Sequence, residues 1–227
     1  MTNSILSLTS PTNVAYSSDK TSPAAASYAD LTLQHTDDQI LRIASRLVMS
    51  LKPTEQLIAC AGVRGNDPSS SFAVHTSLAL VRLGSGPVLL LDANFHNRKQ
   101  LEKGGTIAPG FTDLLSEESF EIAAIQNTNI DGMDLLTVGN CFLPFSSLLS
   151  SARMTFLMTY FRKYRFVIMD VGAILDSTEA LMMASKADVV IAVASTGQRT
   201  KRELGLFKTE IDRLKTNFLG VVLTDIR

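Results

Sequence analysis

Six short apolar runs constrain this chain more than any other feature: Leu57–Ala61, Val88–Leu91, Met133–Val138, Phe166–Met169, Val189–Ala194 and Phe218–Leu223. Each has strand length, and most are continuous rather than alternating, the pattern of strands covered on both faces in a largely parallel sheet. Helical spacing fills the intervals, at Ser69–Leu83, in a shorter pair within Phe111–Ile125, and at Ser151–Tyr164, Ser177–Ser185 and Thr200–Lys215. Strand and helix in alternation predict an α/β fold, a doubly wound and mostly parallel sheet flanked by helices, with ligands at the carboxyl ends of the strands.

Ahead of the first run, Ile40, Leu41, Ile43, Ala44, Leu47, Val48 and Leu51 recur at helical spacing over Asp37–Leu51, and Lys52-Pro53 ends that helix. Residues 1–32 are rich in Ser, Thr, Ala and Pro without periodicity. They predict a disordered arm, carrying Tyr16 and Tyr28, in front of a single domain over 33–227. With 45% hydrophobic and 19% charged residues and a formal net charge of -1, bulk electrostatics point to neither nucleic acid nor an anionic membrane. No run approaches the ~20 apolar residues that cross a bilayer, so no membrane insertion is predicted. Cys60 and Cys141, without C-x-x-C spacing, fit a reduced cytoplasmic compartment, and His35, His75 and His96 suggest no metal site.

The chemistry is concentrated at three strand ends. The first run passes through Gly62-Val-Arg64-Gly65-Asn-Asp67-Pro68-Ser69-Ser70 into a helix. That is the frame of a phosphate-binding loop, whose glycines let backbone N–H groups curl around phosphate oxygens while a lysine neutralises them and a hydroxyl holds magnesium. Here Pro68, Ser69 and Ser70 span the lysine position, and none carries charge. The second run ends at Asp92-Ala-Asn94 and the fourth at Asp170, so two carboxylates converge on one loop, as acids that orient magnesium do in nucleotide hydrolases.

From about Asp37 onward the chain resembles the cytoplasmic domain of bacterial tyrosine kinases of the capsular and exopolysaccharide type, P-loop proteins related to the MinD and ParA ATPases. The resemblance is carried by the loop frame around Gly65, by Leu89-Leu-Leu-Asp-Ala-Asn94 in the place of the second Walker A-like motif, and by Tyr164-Arg-Phe-Val-Ile-Met-Asp170 in the place of Walker B. Pro109-Gly-Phe-Thr-Asp, Gly132-Met-Asp-Leu-Leu and Ala187-Asp-Val-Val extend it. The departures fall on the chemistry. Where the family reads Pro-Gly-Glu-Gly-Lys-Ser-Thr, Asp67 replaces the second glycine and Pro68 the lysine. Asn94 replaces a second acid, Val171-Gly172 a Thr-Pro, and Thr224 an asparagine that reads adenine. Of the oligomerisation motif Glu-x-x-Arg-x-x-Arg only Arg42 is kept, and no tyrosine cluster follows the last strand.

The resemblance therefore implies a catalytically degenerate kinase-like protein. It would act as a cytoplasmic binding or regulatory subunit of exopolysaccharide biosynthesis, docked on a membrane polysaccharide co-polymerase at the inner face of the plasma membrane, with homo-oligomers possible. Arg64, Gly65, Ser69 and Ser70 form the degenerate phosphate loop, with Arg64 a cation at its mouth. Ser69, Asp92 and Asp170 are relics of a magnesium site, and no cofactor is expected. The alternative is an active tyrosine autokinase or MinD-like ATPase using Mg-ATP through a non-standard loop. Two further readings are structural: Ser69 and Ser70 as an N-cap, and Arg199, Lys201 and Arg202 as a solvated face.

Overall fold

The structure is a computed structural model that describes residues 5–7, 38–95, 109–116, 124–139, 148 and 151–224. Along the chain run β1 (Ile5–Ser7), α1 (Asp38–Ser50), β2 (Leu57–Gly62), α2 (Ser69–Arg82), β3 (Val88–Asp92), α3 (Phe111–Ser116), β4 (Gln126–Asn127), β5 (Met133–Leu136), α4 (Ala152–Phe161), β6 (Phe166–Ala173), α5 (Thr178–Ala184), β7 (Val189–Ser195), α6 (Lys201–Leu214) and β8 (Asn217–Thr224). The strands form one sheet in the order β1-β8-β7-β2-β6-β3-β5-β4. Every neighbouring pair is parallel except β4 with β5.

All six apolar runs are strands, and the helices lie where their spacing predicts. Two strands went unread. Gln126–Asn127 is exposed and too short to carry a pattern. Ile5–Ser7 pairs in parallel with Val221–Leu223 of β8, so the arm reading gives way over those residues, and the rest of 1–32 lies outside the described residues. The second helix of the pair over 111–125, and Cys141, His35, His96, Tyr16 and Tyr28, also lie outside them.

The continuous runs conceal a period of two, because both faces of a doubly wound sheet are dry. In β2, Leu57, Ala59 and Ala61 pack toward Met154, Leu157 and Phe161 of α4 and Phe207 and Ile211 of α6. Ile58 and Cys60 face Ile43 and Leu47 of α1 and Phe72 and Leu78 of α2. The Cys60 thiol is buried and free, its pKa pushed well up by that burial, which makes it an inert core residue.

At the amino ends of the strands a single carboxylate holds the layers in register. Asp188 accepts hydrogen bonds from the backbone N–H groups of Gln56 and Leu57, both at 2.9 Å, and from Arg162 Nη1 and Nη2 at 3.1 and 2.7 Å. Arg162 Nη1 also donates to Thr54 O at 3.0 Å. Asp188→Ala is expected to cost about 2–4 kcal/mol in urea unfolding, because it strands two strand-end donors and a bidentate guanidinium. Burial raises the Asp188 pKa, but the Arg162 and backbone donors outweigh it and hold the group below the usual carboxylate range. The loss in the variant should accordingly persist at neutral pH and narrow only in acid, as wild-type Asp188 takes up its proton.

Candidate functional site

The carboxyl ends of β2, β6, β3 and β7 meet around the turn from β2 into α2, where the sheet's connections run to opposite sides. Gly62 ends β2 because the chain turns back on itself there: a Cβ would lie 3.2 Å from Arg64 O and 3.4 Å from Asp67 Cβ. The loop is closed from within. Asp67 Oδ2 accepts from the backbone N–H groups of Val63 at 3.0 Å and Arg64 at 2.9 Å. Its Oδ1 accepts from Ser195 N at 2.8 Å and Ser195 Oγ at 3.0 Å, and Arg199 Nε reaches both oxygens at 3.0 and 2.9 Å. The Asp67 side chain is fully buried and that of Arg199 is 11% exposed. Gly65 N donates to Asp176 Oδ2 at 2.8 Å, and Pro68 has no N–H to offer. Of the loop's amides, those of Val63, Arg64 and Gly65 are thus given to side-chain carboxylates, and those of Asp67 and Ser69 to the carbonyls of Arg64 and Asp67, both at 2.9 Å.

Arg64 does not sit over the loop's mouth. Its Nη1 donates to Asp176 Oδ1 at 2.5 Å and its Nε to Glu203 Oε1 at 3.2 Å, bracing the loop against the β6–α5 turn and the first turn of α6. Glu203 is itself placed by the capping box that begins α6 with Thr200.

Ser69 and Ser70 are not an N-cap. The cap position of α2 is Pro68, which makes no side-chain cap bond. Ser69 Oγ instead donates to Asp170 Oδ1 at 3.1 Å and Ser70 Oγ to Asp170 Oδ2 at 2.5 Å. Each hydroxyl gives its one O–H to the carboxylate, and both serines lie inside the first turn of α2 rather than ahead of it, so neither is placed to cap the helix. Asp170 also accepts from Gly172 N at 3.2 Å and Asn94 Nδ2 at 3.5 Å. Gly172 has φ +76°, and a Cβ on it would lie 2.7 Å from Asn94 Oδ1, so the glycine lets Asn94 approach.

Asp92 stands beside Asp170 in the β3–β6 register, the two being 2% and 0% exposed. Burial and the Asp170 charge push Asp92 up to about 8, against a single hydrogen bond from Asn94 N that favours the anion. Burial also raises Asp170, although its four donors oppose the shift. The sequence places these two acids correctly. Among the described residues no group of three or more His, Cys, Asp or Glu side chains is arranged to hold a metal ion. The residues do not fit magnesium-nucleotide well: the hydroxyl and acid of a metal site are present, but the loop lacks its lysine, Pro68 offers no N–H, and the buried Asp67 carboxylate adds negative charge to it.

Sequence reasoning missed Ser195 and Asp176, and it read Arg199 with Lys201 and Arg202 as a solvated face, whereas the Arg199 side chain is 11% exposed and bound to Asp67. Asp67 itself held the signal, since a carboxylate in a loop meant to close around anions has to find a cation when it is buried. An open cleft of about 300 Å³ lies at the other end of the strands, lined by Leu57, Met154, Met158, Arg162 and Lys186 among others.

The sheet order, the loop between β2 and α2 and the acids ending β3 and β6 give the fold of the ParA and MinD type of P-loop NTPase. The solved structure of a ParA family ATPase from Chlorobium tepidum TLS matches it with a TM-score of 0.56 at 16% identity, over 77% of this chain and 75% of that one. The chain's homologues are bacterial tyrosine-protein kinases. It is 25% identical over 174 residues to tyrosine-protein kinase CpsD of Streptococcus pneumoniae serotype 4, covering 75% of this chain and 76% of that protein. It is 28% identical over 171 residues to tyrosine-protein kinase YwqD of Bacillus subtilis, covering 73% and 68%. Among solved structures, the chimerical protein CapA2B2 has a TM-score of 0.73 at 23% identity over 83% and 84% of the two chains. The kinase domain of Escherichia coli tyrosine kinase ETK has 0.70 at 20% over 87% and 81%. No family model matches the chain.

Proposed function

We propose that this protein is a catalytically degenerate relative of the bacterial tyrosine kinases that works by binding, as a cytoplasmic regulatory subunit in exopolysaccharide assembly or export. Its partner is a membrane polysaccharide co-polymerase, which holds it at the inner face of the plasma membrane. Among the described residues no helix is long and apolar enough to cross a membrane, in keeping with attachment through a partner.

The observation that carries the reading is Asp67. Its carboxylate takes the Val63 and Arg64 amides, in a loop without a lysine, and the loop's own cation, Arg64, is spent on Asp176 and Glu203. Each lost charge-assisted contact is worth about 1–3 kcal/mol, so their sum lowers nucleotide affinity by orders of magnitude. The active-enzyme reading draws on one observation, the Ser69–Asp170 bond beside Asp92, which keeps the metal side of the site in place.

Isothermal titration of the full chain with Mg-ATP separates the two. No saturable heat into the millimolar range is expected, with or without the co-polymerase's cytoplasmic segment. Micromolar binding, or tyrosine autophosphorylation, would sink the proposal.

A further inference from the structure

The loop's occupant is part of the protein itself. Five donors converge on one carboxylate: the N–H groups of Val63, Arg64 and Ser195, the Ser195 hydroxyl and Arg199 Nε. They come from two places far apart in sequence, the loop after β2 and the end of β7 with the turn that leads to α6. Arg199 Nη2 is buried beside them and meets no acceptor among the described residues.

We propose that Asp67 is a built-in anion that closes a latent oxyanion site, and that removing its side chain opens the site to inorganic phosphate or sulfate. The donors are amides, a hydroxyl and a guanidinium, the set that recognises tetrahedral oxyanions. A carboxylate offers two oxygens to them, whereas phosphate offers four, and the unmatched Nη2 gains an acceptor. In the wild type the carboxylate wins because it is tethered in place, at an effective concentration that free millimolar anion cannot match. The device also locks the loop to the β7–α6 segment, so loop and segment move as one unit. The inference rests on the reading that the loop does not serve a nucleotide, and it says what serves in the nucleotide's stead.

The test uses the full chain, its Asp67→Gly and Asp67→Ala variants, and inorganic phosphate against chloride at matched ionic strength. Thermal unfolding of the wild type should not respond to phosphate. Asp67→Gly should rise by several degrees in about 20 mM phosphate and bind it with a dissociation constant near millimolar or tighter. Adding Arg199→Ala should weaken that binding at least about tenfold. Asp67→Ala, which also clears the carboxylate from the donors, should respond in the same direction if the glycine variant does not fold.

The wild type supplies an independent reading: the Arg64 amide, which donates to Asp67 Oδ2, should exchange slowly with solvent deuterium in phosphate-free buffer. Fast exchange there, a folded Asp67→Gly that ignores phosphate, or a wild type that binds phosphate as tightly as the variant would each overturn the inference. Saturation of the wild type by Mg-ATP would overturn the non-catalytic reading, whereas a phosphate-blind Asp67→Gly overturns only the latent site.

Discussion

Arg199→Ala should lower the unfolding free energy by about 3–5 kcal/mol, read as a shift of the urea midpoint at neutral pH, because it leaves a buried carboxylate without its cation. Asp67 has no exposed side-chain surface while Arg199 covers it, so its charge is desolvated and depends on that guanidinium. The remaining donors, two loop amides and Ser195, are dipoles and offset only part of the loss. The double variant Asp67→Ala/Arg199→Ala should be less damaged than Arg199→Ala alone, since removing both partners leaves no orphaned charge. High salt should change little, because the pair is shielded from the ions that screen surface pairs. An Arg199→Ala midpoint within error of the wild type would show that Asp67 is not held as described.

The second large effect is opposite in sign. Asp92→Asn should stabilise the protein, increasingly as the pH rises. In the folded state burial and Asp170 hold the Asp92 carboxyl at about 8, whereas in the unfolded chain it returns to the ordinary 3.8. Between those values the folded state holds a proton that the unfolded state has released. Wild-type stability therefore falls as pH climbs through that window.

An asparagine has no such proton and lacks that slope. The two proteins should be nearly equal near pH 4–5 and differ by about 2–4 kcal/mol in favour of the variant near pH 8–9, after allowance for relaxation and water entry around the pair. Urea titrations at pH 5, 7 and 9 measure this directly. A variant less stable than wild type at pH 9 would mean that Asp92 is held as an anion by something the geometry does not include.

How much of this was readable in advance depends on how far each feature reaches along the chain. The strands were legible because a sheet covered on both faces needs every consecutive side chain to be apolar, and Val189–Ala194 says so without help from elsewhere. Asp92 and Asp170 were legible because acids at the ends of two such runs fall at the same edge of a parallel sheet, and the register Asp92↔Asp170 bears this out. Ile5–Ser7 was not legible, since three residues carry no period and gain their pairing only from the free edge of β8. Ser69 and Ser70 were misassigned because serine before a helix is ordinarily a cap, and nothing local reveals a buried carboxylate one strand over.

The sequence by itself determined the layers, the strand-to-helix turn, the two acids behind it and the likeness to bacterial tyrosine kinases, because each of these rests on a contiguous run or on a short motif. Tertiary structure alone decided what the turn holds. Arg199 lies 132 residues from Asp67 and Asp176 lies 112 from Arg64, and both pairings arise only when β7 and β6 are laid on either side of β2. A carboxylate in a loop made for anions looks like a defect along the chain. In the fold it is the loop's ligand, since burial makes an unpaired charge so costly that the nearest guanidinium and amides are drawn onto it.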